Sequence, residues 1–149
     1  MLRKISLVVY AGLLFVLAAC GTPPPDLDRS PYGAENELSE ISMTVKEAVV
    51  EAQADTVTLV IKNLSGKLFD FGAPYELETQ IDDVWYTYPP KEEMAFIMIL
   101  YTLEPYGMAE EPISLYNFFG TLEPGTYRVV KSFSSEEGTE GVAFAVFQV

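Results

Sequence analysis

The chain has 149 residues, room for a leader and one domain of ordinary size, and its 49% hydrophobic and 21% charged residues describe a globular rather than a disordered protein. Twenty-two acidic residues stand against nine basic ones, a formal charge of −13. That balance argues against a nucleic-acid partner and for a soluble monomer, and the absence of histidine removes the commonest general base and transition-metal ligand.

Residues 1–19 read as a helical export signal. Arg3 and Lys4 form a positive start, Ile5 to Leu17 an apolar run, and Ala18 and Ala19 a small-residue end. The run is shorter than the roughly 20 apolar residues of a membrane-spanning helix and gives way to proline and charge. Cys20 follows, the only cysteine in the chain. It has no second cysteine to pair with and no histidine to activate it as a nucleophile. The Leu17-Ala18-Ala19-Cys20 run resembles the lipobox of bacterial lipoproteins. That resemblance implies that the Cys20 thiol takes a diacylglyceryl group and becomes the first residue of the mature chain. An ordinary signal peptide with an incidental cysteine, or a short membrane anchor, are the alternatives. With Arg3 and Lys4 removed, 22 acidic residues face 7 basic ones, a mature charge of about −15.

Residues 20–38 carry Pro23, Pro24, Pro25 and Pro31 among glycine, serine and charge. Such a composition forms neither helix nor central strand, so a disordered, extended tether is expected, with a proline-rich recognition peptide as the alternative.

From residue 39 to 149 short alternating runs recur between turn signals. "ISMTVKEAVV" places Ile41, Met43 and Val45 on one face, and "DTVTLVIKN" does the same with Val57, Leu59 and Ile61. "YELETQI" leads through Asp82-Asp83, a two-residue hairpin loop, into "VWYTY", which Pro89-Pro90 stop. "MAFIMILYTL" is apolar on both faces and is read as a strand covered on both sides, a buried helix being the alternative. "ISLYNFF", "TYRVVKSF" and "GVAFAVFQV" complete the set as strands. Seven to nine strands with no helices between them predict an all-β, antiparallel sandwich. "LEPGTYR" has the local grammar of a tyrosine corner centred on Tyr127, and Trp85 is expected in the core; for Tyr127 the alternative is a plain core tyrosine after a turn.

Over residues 39–149, "TVTLVIKNLSGK", "YELETQIDDVWYTYPPKEE" and "LYNFFGTLEPGTYRVVKSF" are similar to bacterial Ig-like domains of Gram-positive envelope proteins and lipoproteins. Asp83 stands where that family has a hairpin glycine, and "YTLEPYGMAEE" is a less regular turn. The resemblance implies an Ig-like β-sandwich on the outer side of the cell membrane and brings no catalytic residue with it.

Asp82/Asp83, Glu92/Glu93, Glu110/Glu111 and Glu136/Glu137 are paired carboxylates, but all sit in predicted turns or strand ends, where solvated charge is the expectation. No phosphate loop, zinc spacing or nucleophile elbow occurs, so no cofactor, metal or catalytic residue is expected. The "SSEEGTEG" turn is the one candidate for a weak calcium site. Trp85, Tyr86, Tyr88, Tyr101, Tyr106 and Tyr116 form either a contact surface or a ring-filled core. The expected function is a non-enzymatic binding or protein-interaction module, anchored to the bilayer through acylated Cys20. A ligand- or calcium-binding lipoprotein and a carboxylate-dependent hydrolase are the alternatives.

Overall fold

The computed structural model describes residues 27–149; the leader, Cys20 and the triple proline lie outside the described residues. Among the described residues, nine strands build two antiparallel sheets. β1 (Ile41–Val45), β2 (Thr56–Asn63) and β7 (Met108–Ser114) form the smaller one, in the order β1-β2-β7. The larger one centres on β8 (Thr126–Ser135). One edge of β8 pairs first with β4 (Glu76–Ile81) and farther on with β3 (Phe69–Gly72), while its other edge pairs with β9 (Glu140–Gln148). β5 (Val84–Thr87) adds to β4 and β6 (Leu100–Leu103) adds to β3.

The alternation read from the sequence sets which side chains meet between the sheets. Ile41, Met43, Val57, Leu59 and Ile61 come from the smaller sheet; Phe69, Phe71, Leu77, Tyr127, Val129 and Phe133 come from the larger one. Each such side chain taken out of water contributes on the order of 1.5–3 kcal/mol. Asp82 and Asp83 make the β4–β5 turn with φ of 49° and 61°, the left-handed pair of a type I′ hairpin.

Three expectations change. "MAFIMILYTL" is not a strand covered on both sides: only Leu100–Leu103 pair, Met98 is fully exposed, and Ile97 and Leu100 are 64% and 69% exposed. β3 ends at Gly72, so the residues before Leu100 have no ladder partner and run outside the sheet. "ISLYNFF" splits into the end of β7 and a single helical turn, α1 (Tyr116–Phe119), which seats Phe119 in the core.

The third concerns the tether, whose disordered stretch does not extend to residue 38. Asp28, Arg29 and Ser30 lie along β5: Thr87 N–H donates to Asp28 (2.8 Å), Ser30 N–H donates to Trp85 (2.9 Å), and Arg29 bridges Tyr86. The chain then crosses the outer face of the large sheet and reaches the free edge of β9. There the side chains of Asn36 and Glu37 accept from the Phe144 and Val142 amides at 2.8 and 3.1 Å. Leu38 is buried in the inter-sheet core. This strap explains why residues 127–131 of β8 are buried without interruption. Tyr127, Val129 and Lys131 face the other sheet, while Arg128 and Val130 lie under the strap.

Candidate interaction surface

Beneath the strap an arginine holds three partners. Arg128 and Glu78 sit opposite one another on β8 and β4 and form an ion pair (2.5 Å) with both side chains fully buried. The guanidinium also donates to the Gly33 carbonyl at 2.8 Å and to Ser30 Oγ at 3.3 Å. Its plane lies against Phe144 at 3.8 Å and Trp85 at 4.4 Å from the ring centres. Trp85 is therefore buried, but outside the core between the sheets where the sequence reading puts it. It shares the outer face with Arg128 because residues two apart on a strand point the same way.

At the opposite face of β8, the Tyr127 hydroxyl donates to the Glu123 carbonyl at 2.8 Å, four residues back along the chain. The ring stacks on Phe147 and meets Tyr88 edge-on, both at 5.8 Å. Burial pushes its phenol pKa up. This is the geometry of a tyrosine corner, and it ties the turn before β8 to the strand itself.

The sandwich is open on one side. β6 and β7 are edge strands of different sheets, and between them lies a mouth of about 230 Å³ lined by Phe71, Tyr101, Thr102, Ala109, Glu110, Glu111 and Pro112. Behind the lining residue Glu111, the buried Lys131 reaches across from β8. Its Nζ lies 3.0 Å from Glu111 Oε1, donates to the Gly72 carbonyl at 2.8 Å, and stands beside the carbonyls of Ala73 and Pro74 at 3.4 and 3.3 Å. The contact with Glu111 Oε2 at 2.9 Å is ion-pair proximity rather than a directed hydrogen bond. Burial lowers the Lys131 pKa and raises that of Glu111, while their pairing opposes both shifts. A lysine with its pKa lowered has the electronic character of a nucleophile. Here its amine is fully buried and surrounded by acceptors, so it braces the two sheets instead.

The other paired carboxylates are dispersed. Glu110 and Glu111 point to opposite faces of β7, and Glu110 pairs with Lys46 at 2.8 Å in solvent. Asp82 and Asp83 are in the hairpin, and Glu92, Glu93, Glu136 and Glu137 are exposed. The "SSEEGTEG" turn closes on itself through Ser135 and Thr139, with Gly138 at a φ of 81°. Among the described residues, no group of three or more His, Cys, Asp or Glu is placed to hold a metal ion.

The aromatic set divides. Trp85 is buried, Tyr86 and Tyr88 are partly buried, and Tyr101, Tyr106 and Tyr116 are 40%, 76% and 37% exposed. Of the exposed three, Tyr101 lines the mouth, Tyr106 stands beside Gly66 and Tyr116 lies under Lys91 Nζ. Among the described residues, no helix is long and apolar enough to cross a membrane.

A sequence-family profile described as a bacterial Ig-like domain matches residues 37–145, close to three quarters of the chain. The chain belongs to the bacterial Ig-like domain family. No curated protein matches it.

Within this Ig-like domain, Arg128, Glu78 and Lys131 are the residues that sequence reasoning passed over. Two cues were present in the sequence. Arg128 and Lys131 stand among Tyr127, Val129, Val130 and Phe133 in a strand, and they lie three apart, which sends them to opposite faces of β8, whereas Glu78 sits in an ordinary polar alternation.

Proposed function

We propose that this protein is an extracytoplasmic lipoprotein, held on the cell membrane through acylated Cys20, whose Ig-like domain is a non-enzymatic protein-interaction module. The observation that carries the binding reading is the mouth between β6 and β7. It combines two free strand edges with the half-exposed ring of Tyr101. β7 carries Pro112, which blunts it as a pairing edge, whereas β6 has no proline and no charge. An extended segment of a partner pairs with β6 and sets its side chains over the mouth. The anchor reading rests on the leader and Cys20 alone.

The test is crosslinking from intact cells, comparing the lipidated protein with Cys20→Ala. The variant is expected to remain an unprocessed precursor without acyl label, and a crosslinked envelope protein is expected with the wild type and lost with Thr102→Pro on β6. Normal acyl labelling of Cys20→Ala overturns the anchor, and a partner indifferent to Thr102→Pro overturns the β6 edge.

A further inference from the structure

Ile97, Met98, Ile99 and Leu100 form an unbroken aliphatic run that the fold leaves in solvent. Met98 is fully exposed, Leu100 is 69%, Ile97 64% and Ile99 43% exposed. The neighbours on either side are packed: Phe96 lies against Tyr75 and Phe118, and Tyr101 lies against Phe71. Both ends of the run are thus pinned, and its four aliphatic side chains are presented to solvent from a fixed base. Isolated exposed apolar residues are ordinary, but a contiguous exposed run of this kind marks a contact surface.

The start of the described chain indicates what that surface meets. The strap runs antiparallel to β5, so its lower-numbered residues lie toward the end of β5: Ser30 is bonded at Trp85 and Asp28 at Thr87. The segment that carries the aliphatic run leaves the sheet from that same end of β5. Only residues 21–27 separate Asp28 from Cys20, a contour of at most about 28 Å for the eight bonds between them. An acyl chain on Cys20 therefore keeps the end of β5 within a few nanometres of the bilayer, and with it the run, which begins ten residues after Thr87 and rejoins the sheet where Leu100 pairs with Gly72.

We infer that Ile97–Leu100 is a membrane-docking finger, which inserts aliphatic side chains into the bilayer surface beside the lipid anchor and so fixes the domain's orientation. This rests on the lipid-anchor reading above. The occupant is a lipid surface in general rather than an anionic one, because a mature charge of about −15 repels anionic headgroups and the run itself carries no lysine or arginine. Apolar insertion of this kind holds at high salt, in contrast to binding through a basic patch. The mouth between β6 and β7 stays clear, since its walls are formed by Tyr101, Thr102 and residues 109–112.

The experiment uses the full chain reconstituted in zwitterionic vesicles. Cys20 is the only cysteine, and once acylated it leaves Met98→Cys as the sole free thiol, on which an environment-sensitive fluorophore is placed. Val49→Cys is the control: it is 77% exposed and sits on the β1–β2 connection, whose Ala48 and Val50 share a surface with Val146 and Gln148, opposite the start of β8. The expected result is a blue-shifted emission at position 98 that is quenched by nitroxide-labelled lipid and unchanged in high salt, with water-like emission at position 49. Ile97→Ser with Leu100→Ser in the labelled chain is expected to abolish the shift. Water-like emission at both positions overturns the finger, as does a shift that needs anionic lipid. A shift seen only in native envelopes and insensitive to nitroxide lipid also overturns it, in favour of a protein contact. Acyl labelling and vesicle flotation of the same sample read the anchor separately. A chain that fails to float is titrated with vesicles directly, and water-like emission there overturns the finger whatever the state of Cys20.

Discussion

Replacing Tyr127 by phenylalanine leaves the ring on Phe147 and Tyr88 and removes only the bond to the Glu123 carbonyl. The loss expected is about 1–2 kcal/mol, read as a lower urea midpoint with an unchanged slope. Lys131 and Glu111 behave differently, because each is the other's compensation. Lys131→Met leaves a carboxylate in the mouth without its cation and is expected to cost about 3 kcal/mol, whereas Lys131→Met with Glu111→Leu recovers most of that loss. The pair also writes itself into the pH dependence. Burial raises the Glu111 pKa above its ordinary 4.5, so the folded chain holds that proton more readily than the unfolded one. The stability contributed by this group is fully present below the ordinary value and is lost as pH rises through the raised one. Urea unfolding over this window is expected to show that decline in the wild type and not in Glu111→Gln, once the uniform cost of the substitution is subtracted.

The hairpin between β4 and β5 is the element most open to improvement. Asp82 and Asp83 both hold positive φ, which an L-residue adopts against steric resistance and glycine adopts freely. Asp83→Gly is expected to raise stability by about 0.5–1 kcal/mol, visible as a higher thermal midpoint, with the β4–β5 register unchanged. This turn was legible in the sequence because turn chemistry is local, and β1 and β2 were legible because one wetter face and one dry face impose a period of two. Residues 94–103 were not. An apolar run signals burial only if something exists to cover it, and β3 is too short to pair with the whole run. The α1 turn was missed because four residues carry no helical period. At the candidate surface, the exposed tyrosines were named from the sequence, but the mouth was not, since it arises from two edge strands of different sheets meeting in space.

At the scale of the whole molecule, the strap makes the domain larger than its alternating strands suggest. Residues 28–38 read as tether by composition, and what holds them is non-local: Arg128 to Gly33 and Ser30, the Phe144 amide to Asn36, the Val142 amide to Glu37. Composition reports a segment's own preference and says nothing of a buried guanidinium a hundred residues away. A chain that lacks residues 21–34 is expected to keep its inter-sheet core and lose the cover over Trp85. Its emission then shifts to the red and the Thr87 amide exchanges rapidly, while the near-ultraviolet circular dichroism of the packed tyrosines is retained. Loss of all tertiary signal in that chain overturns the separation of strap and sandwich.

The strap also decides how the molecule responds to being pulled. Tension on the chain from its N-terminal side acts first on the bonds that join Asp28 and Ser30 to β5, along the strand direction, so these bonds resist together in shear rather than opening one by one. Behind them Arg128 grips Ser30 and Gly33, and Asn36 and Glu37 grip β9, before the force reaches β1 and the sandwich. The strap is a mechanical fuse. It yields by releasing its few residues as slack, and the fold behind it, with its mouth intact, remains assembled at the end of a longer leash.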